Sequence, residues 1–103
     1  MTLHEDRLLF DILTDDVKKA MKEHDNIARD CLRMVISDIK NATVNAGKEI
    51  TVDACLDVLK KSVKTHNDSI NQFNQAGRFD LADKEKAELE VIKKYIPKMI
   101  SET

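Results

Sequence analysis

Apolar residues recur along this chain at three- and four-residue steps, the period of a helix that buries one side. The first run places Leu9, Leu13, Val17, Ala20 and Met21 together, which predicts a helix over about residues 4–23. A second run starts near Asn26, where Ala28, Leu32, Val35, Ile39 and Ala42 alternate four- and three-residue steps. Cys31, Met34 and Ile36 widen that stripe, so the helix over about 26–45 is expected to lie between others. It should end before Gly47, a natural left-handed residue past a helix terminus. Thr51 suits the N-cap of a third helix, with Asp53 in its first turn. Val52, Leu56, Leu59, Val63, His66, Ile70 and Phe73 then sustain the pattern, predicting a helix over about 51–75 that Gly77 terminates. In a fourth, over about 80–96, Asp80 is expected to cap, Asp83 adds first-turn charge, and Leu81, Leu89, Ile92 and Ile96 form the stripe. Pro97 stops it, and Ser101-Glu102 reads as the cap of a further helix that does not follow.

Two glycines and one proline leave little material for β-turns, and no strand is predicted. With 103 residues the expected fold is all-α: a single domain over residues 1–103, built as a four-helix antiparallel bundle with short loops.

The net charge is −2, so the composition argues against tight non-specific binding of nucleic acid but leaves room for a local patch. Charge is unevenly spread. Glu5, Asp6, Asp11, Asp15 and Asp16 face only Arg7 in the first segment, while lysines cluster at Lys18, Lys19 and Lys22, at Lys60, Lys61 and Lys64, and at Lys93, Lys94 and Lys98. Taken singly, each cluster reads as a solvated helix face with i,i+4 partners such as Asp57–Lys61 and Glu90–Lys94. Cys31 and Cys55 fall in no metal or redox spacing and read as small reduced core residues, which suggests a cytoplasmic protein. No segment approaches the ~20 apolar residues of a membrane span. Asp11 interrupts Leu8–Phe10, so no signal peptide is expected either.

Catalytic residues are not apparent, and neither cofactor nor metal is expected. His66 is the sharpest candidate, but its place on an apolar stripe predicts a packed histidine without metal, because no partner ligand is visible. His4 and His24 are expected at a helix end or surface. A di-iron bundle needs Glu-x-x-His on two helices, and none occurs. Glu85 and Glu88 share a helix face and read as ordinary surface acids. Both glycines stand alone, so there is no phosphate loop, and Phe79 and Tyr95 are too few for a base-stacking platform.

The stretch from Lys61 to Pro97, "KSVKTHNDSINQFNQAGRFDLADKEKAELEVIKKYIP", carries more. Val63-Lys64, Ser69-Ile70 and Phe73 precede Ala76-Gly77-Arg78 and Asp80-Leu81; Lys84-Glu85, Glu88-Leu89 and Tyr95-Ile96-Pro97 follow in order. Upstream come "LRMVISDIKNA" from Leu32 and "GKEIT" from Gly47. This series resembles the YqeY family, which is similar to the C-terminal region of the B subunit of glutamyl-tRNA(Gln)/aspartyl-tRNA(Asn) amidotransferase. The likeness covers nearly the whole chain and is weakest over the first 16 residues. It implies a four-helix N-terminal bundle followed by a small three-helix tail domain; the sequence stops at Thr103, so the tail is expected to be lacking. It also implies a tRNA-associated accessory domain, with tRNA or amidotransferase subunits as partners. The family label, carbon–nitrogen ligase activity with glutamine as amide donor, is implied only by inheritance from the complex.

Under that reading Lys60, Lys61, Lys64, Asn67 and Arg78 are the candidate nucleic-acid-binding residues, with Arg78 also suited to pair with helix-end carbonyls or with Asp80 and Asp83. The alternative is a helical protein–protein interaction module with no RNA role, which the net charge and the acidic first segment favour.

Overall fold

Those periodicities become four helices in the computed structural model, which describes the backbone of residues 2–96 and side chains from residue 9 onward. They are α1 (Thr2–Lys22), α2 (Asn26–Ala42), α3 (Val52–Gln75) and α4 (Phe79–Lys93). A 3-10 turn, Val44–Ala46, follows α2. Among the described residues there is no strand, so the fold is all-α as the sequence indicated. Pro97 and Ser101-Glu102, read as a stop and a further cap, lie outside the described residues.

Helix starts follow local chemistry in two cases and depart from it in one. The Asp25 carboxylate accepts from the Ala28 N–H at 3.1 Å at the start of α2. Thr51 Oγ1 accepts from the Ala54 N–H at 3.1 Å, the cap expected for α3. For α4 the expectation fails: Arg78 occupies the N-cap position without a side-chain cap bond, and Asp80 already lies inside the first turn. The chain leaves Gly77 in a left-handed conformation and enters the helix at once, two residues ahead of the best capping side chain. Asp80 is still favoured there, because a first-turn carboxylate faces the positive end of the helix dipole. Hydrogen bonds from the Arg78 guanidinium and then from the Leu81 N–H hold its carboxyl below the usual range.

Three corners end in the same way. At Gly77 (φ 75°) the Arg78 N–H reaches the Phe73 carbonyl at 2.8 Å and the Gly77 N–H reaches that of Asn74 at 3.1 Å. Gly47 (φ 76°) repeats this, with Lys48 N to Thr43 O at 2.8 Å and Gly47 N to Val44 O at 3.0 Å. At the end of α1 the left-handed residue is His24 (φ 59°), with Asp25 N on Ala20 O at 2.9 Å and His24 N on Met21 O at 3.3 Å. Each is a Schellman closure, which satisfies carbonyls that the helix end leaves open. His24 is exposed, as expected, but bears a conformation that costs an L-residue about 1–2 kcal/mol. His24→Gly should therefore raise stability by about 0.5–1 kcal/mol, after subtracting the greater freedom glycine loses on folding. A urea midpoint that falls instead would show that the imidazole makes a compensating contact.

The chain divides between Val58 and Leu59 into two compact units. In the first, α1 packs on α2, and Leu13, Ala20, Cys31, Leu32, Val35, Ile39 and Cys55 are buried. Thr43, also buried, is satisfied by donating to the Ile39 carbonyl at 2.6 Å. Two methionines depart from the predicted stripes: Met21 is 53% and Met34 58% exposed. At about 100° per residue each sits roughly 85–120° off the centre of its stripe, so it belongs to the flank of the helix. In the second unit Leu59, His66, Ile70, Ala82, Leu89 and Ile92 are buried. Neither cysteine is in a disulfide and both are buried, as expected, and burial pushes the Cys55 thiol up to about 11, which leaves it unreactive.

Candidate functional site

Along α3 the buried line runs through Leu59, His66 and Ile70. Lys60, Lys61, Lys64 and Asn67 are all exposed on the sides turned away from it. Among the described residues none of the three lysines is in an ion pair. Exposed Asp57 and Asp68 share that side within three or four residues of them, which weakens the positive field. Arg78 stands apart from this group. About 12 Å of helix separates Asn67 from Gln75 before the corner begins. Its guanidinium meets Asp80 through Nε–Oδ1 and Nη2–Oδ2, both 3.4 Å, with both side chains more than half exposed. The corner depends on the backbone of Arg78, and an exposed pair of that length adds little to it.

A second cationic group escaped the sequence reading. Lys18 of α1 and Arg33 and Lys40 of α2 line a cleft of about 440 Å³ together with Phe10, Val17 and Ile36, and no carboxylate lines it. Lys18 had been grouped with Lys19 and Lys22, and nothing in the spacing of either helix brings Arg33 and Lys40 to it. Their convergence follows from how α1 and α2 pair.

Among the described residues of the second unit, His66 is the polar one that is buried. Its Nδ1 lies 2.8 Å from the Ser62 carbonyl one turn earlier, an acceptor only, so Nδ1 carries a proton. Nε2 faces α4, 3.0 Å from Glu88 Oε1 and 3.8 Å from Glu85 Oε1. The three side chains are 9%, 14% and 23% exposed. The Ser62 hydroxyl is 3.4 Å from Nδ1, but that proton is committed to the carbonyl, so no serine nucleophile is activated. The helix-interface position of His66 agrees with the sequence reading. Its supposed lack of partners does not: Glu85 and Glu88 are not plain surface acids but the groups α4 presents to the ring. An i,i+3 pair says which residues share a face and nothing about what that face meets.

The pattern of the family described as Yqey-like protein matches residues 10–103. A relative from Lachancea thermotolerans is 36% identical over 85 residues, 82% of this chain and 46% of its own length. One from Candida glabrata is 36% identical over 89 residues, with 84% and 49% covered, and one from Clavispora lusitaniae 39% over 88, with 85% and 51%. All three are named "Altered inheritance of mitochondria protein 41, mitochondrial". The chain spans about half the length of these curated relatives. Their names overturn the cytoplasmic expectation. Buried reduced thiols report only that they escape oxidation, which does not choose between reducing compartments. Matched from residue 10 to its last residue, the chain belongs to the YqeY-like family.

Proposed function

We propose that this chain is a non-catalytic helical domain that associates with tRNA, in a role related to that of the amidotransferase B subunit, and that it works in mitochondria as the names of its relatives suggest. The observation that supports it is the α3 face, where Lys60, Lys61, Lys64 and Asn67 stand exposed on a chain whose net charge is −2. Three lysines can neutralise about three phosphates, so binding is weak and its logarithm falls with log salt at a slope of about −2 to −3. His66 does not activate the Ser62 hydroxyl, and on this reading the family's ligase label attaches to a larger assembly. Asp57 and Asp68 beside the lysines favour the second reading, a protein-interaction module.

Filter binding of tRNA at two salt concentrations tests this. Replacing Lys60, Lys61 and Lys64 by Glu should abolish binding at low salt with helicity intact. Replacing Lys18, Lys19 and Lys22 should matter less, since Asp11, Asp15 and Asp16 offset them locally. Equal loss from both would mean diffuse charge attraction. Greater loss from replacing Lys18, Arg33 and Lys40 would move the site to the α1–α2 cleft. A parent chain that does not bind would favour the interaction module.

A further inference from the structure

We propose that His66, Glu85 and Glu88 form a binding site for one divalent transition-metal ion, with zinc the best match. The donor set is one imidazole nitrogen and two carboxylate oxygens, a combination that suits zinc and its neighbours better than calcium or magnesium. The three ligand atoms all lie within 4.8 Å of one another. Zinc bonds of about 2.0–2.2 Å place neighbouring tetrahedral ligands roughly 3.3–3.6 Å apart. The Nε2–oxygen separations of 3.0 and 3.8 Å bracket that range, so small rotations of the two carboxylates complete the geometry.

The surroundings are those of a ligand histidine. Nδ1 donates to a main-chain carbonyl at 2.8 Å, which fixes the ring and directs Nε2 at the carboxylates, where a metal ion would displace the Nε2 proton to solvent and take the lone pair. Metal-bound histidines almost always make this outer hydrogen bond. All three donors sit on helices: Glu85 and Glu88 on adjacent turns of α4, and His66 on α3. Three protein ligands leave a fourth position for water or an exogenous group, as in open zinc sites.

The test uses the whole chain, stripped with chelator and titrated with zinc chloride by calorimetry and by competition with a chromophoric chelator. One zinc per chain is expected, at micromolar affinity or better, with a rise in melting temperature on binding. Glu88→Gln and Glu85→Gln should each weaken binding by roughly tenfold or more, and His66→Gln should abolish it. His4→Ala and His24→Ala should leave it unchanged, which excludes the remaining histidines. Cobalt(II) in place of zinc should give visible d–d absorption that Glu85→Gln alters. That variant removes only the 3.8 Å contact, so it carries the test if His66→Gln does not fold. No saturable uptake at millimolar zinc would overturn the proposal and leave a histidine–carboxylate ion pair. Uptake that survives both Glu88→Gln and His66→Gln would overturn it as well.

Discussion

Ile92→Ala is expected to destabilise the chain by about 3 kcal/mol, within the 2–5 kcal/mol span of isoleucine truncations in cores. Ile92 has no exposed surface, and α4 buries only Ala82 and Leu89 besides it. Ala82 has no further bulk to offer, so little side-chain mass can collapse into the space left behind. A domain of this size holds about 5–15 kcal/mol of total stability, and the loss is a large part of it. In a thermal melt it amounts to a fall of roughly 10–25 °C. Met34→Ala is the control. Spacing alone placed Met34 with the buried stripe of α2, whereas the structure leaves it 58% exposed, and its truncation should move the melt by only a degree or two. Equal shifts from the two variants would mean that α4 is not docked through Ile92.

Gly77→Ala comes next, at about 1 kcal/mol or somewhat more. Nothing lies within 4 Å of the position a Cβ would take, so the cost is purely conformational. At φ 75° an L-residue is penalised by roughly 1–2 kcal/mol, and the lower unfolded-state entropy of alanine recovers only part of it. Gly77→Asn should cost less, because asparagine visits this region more readily. An unchanged denaturation midpoint for Gly77→Ala would contradict the left-handed corner. Paired with His24→Gly, the experiment reads the same backbone term in both directions.

Both results bear on what a sequence can reveal. The helices were legible because amphipathic spacing is a property of a single segment, and so were Gly47, Gly77 and the Thr51 cap. The exposed side of α3 was legible for the same reason: Lys60, Lys64 and Asn67 follow from helical geometry alone. His24 was not, because an exposed histidine in αL has no compositional mark. Met21 and Met34 were misplaced because an apolar residue beside a stripe looks like part of it until a neighbour fixes the stripe's width. The His66–Glu88 contact joins residues 22 apart in sequence, and the α1–α2 cleft joins Lys18 to Lys40. Both depend on the rotation of one helix relative to the next, which periodicity leaves undetermined.

Asp25 closes α1 with its N–H and opens α2 with its carboxylate, and the Arg78 backbone likewise ends α3 and begins α4. A corner whose residues serve both helices has no slack, so the rotational phase of one helix is geared to that of the next. One inserted residue would turn the following helix by about 100° and slide it about 1.5 Å. In α2 that would swing Leu32, Val35 and Ile39 out of the core. Between Gly47 and Thr51 the chain is different: Lys48 and Glu49 are exposed. Lys48 closes the preceding turn and Thr51 opens α3, so no one residue serves both, and an insertion between them is expected to act as a clutch, taking up length without passing rotation on to α3. Tags, reporters and inserted epitopes belong there, and not at 24–25 or 77–78.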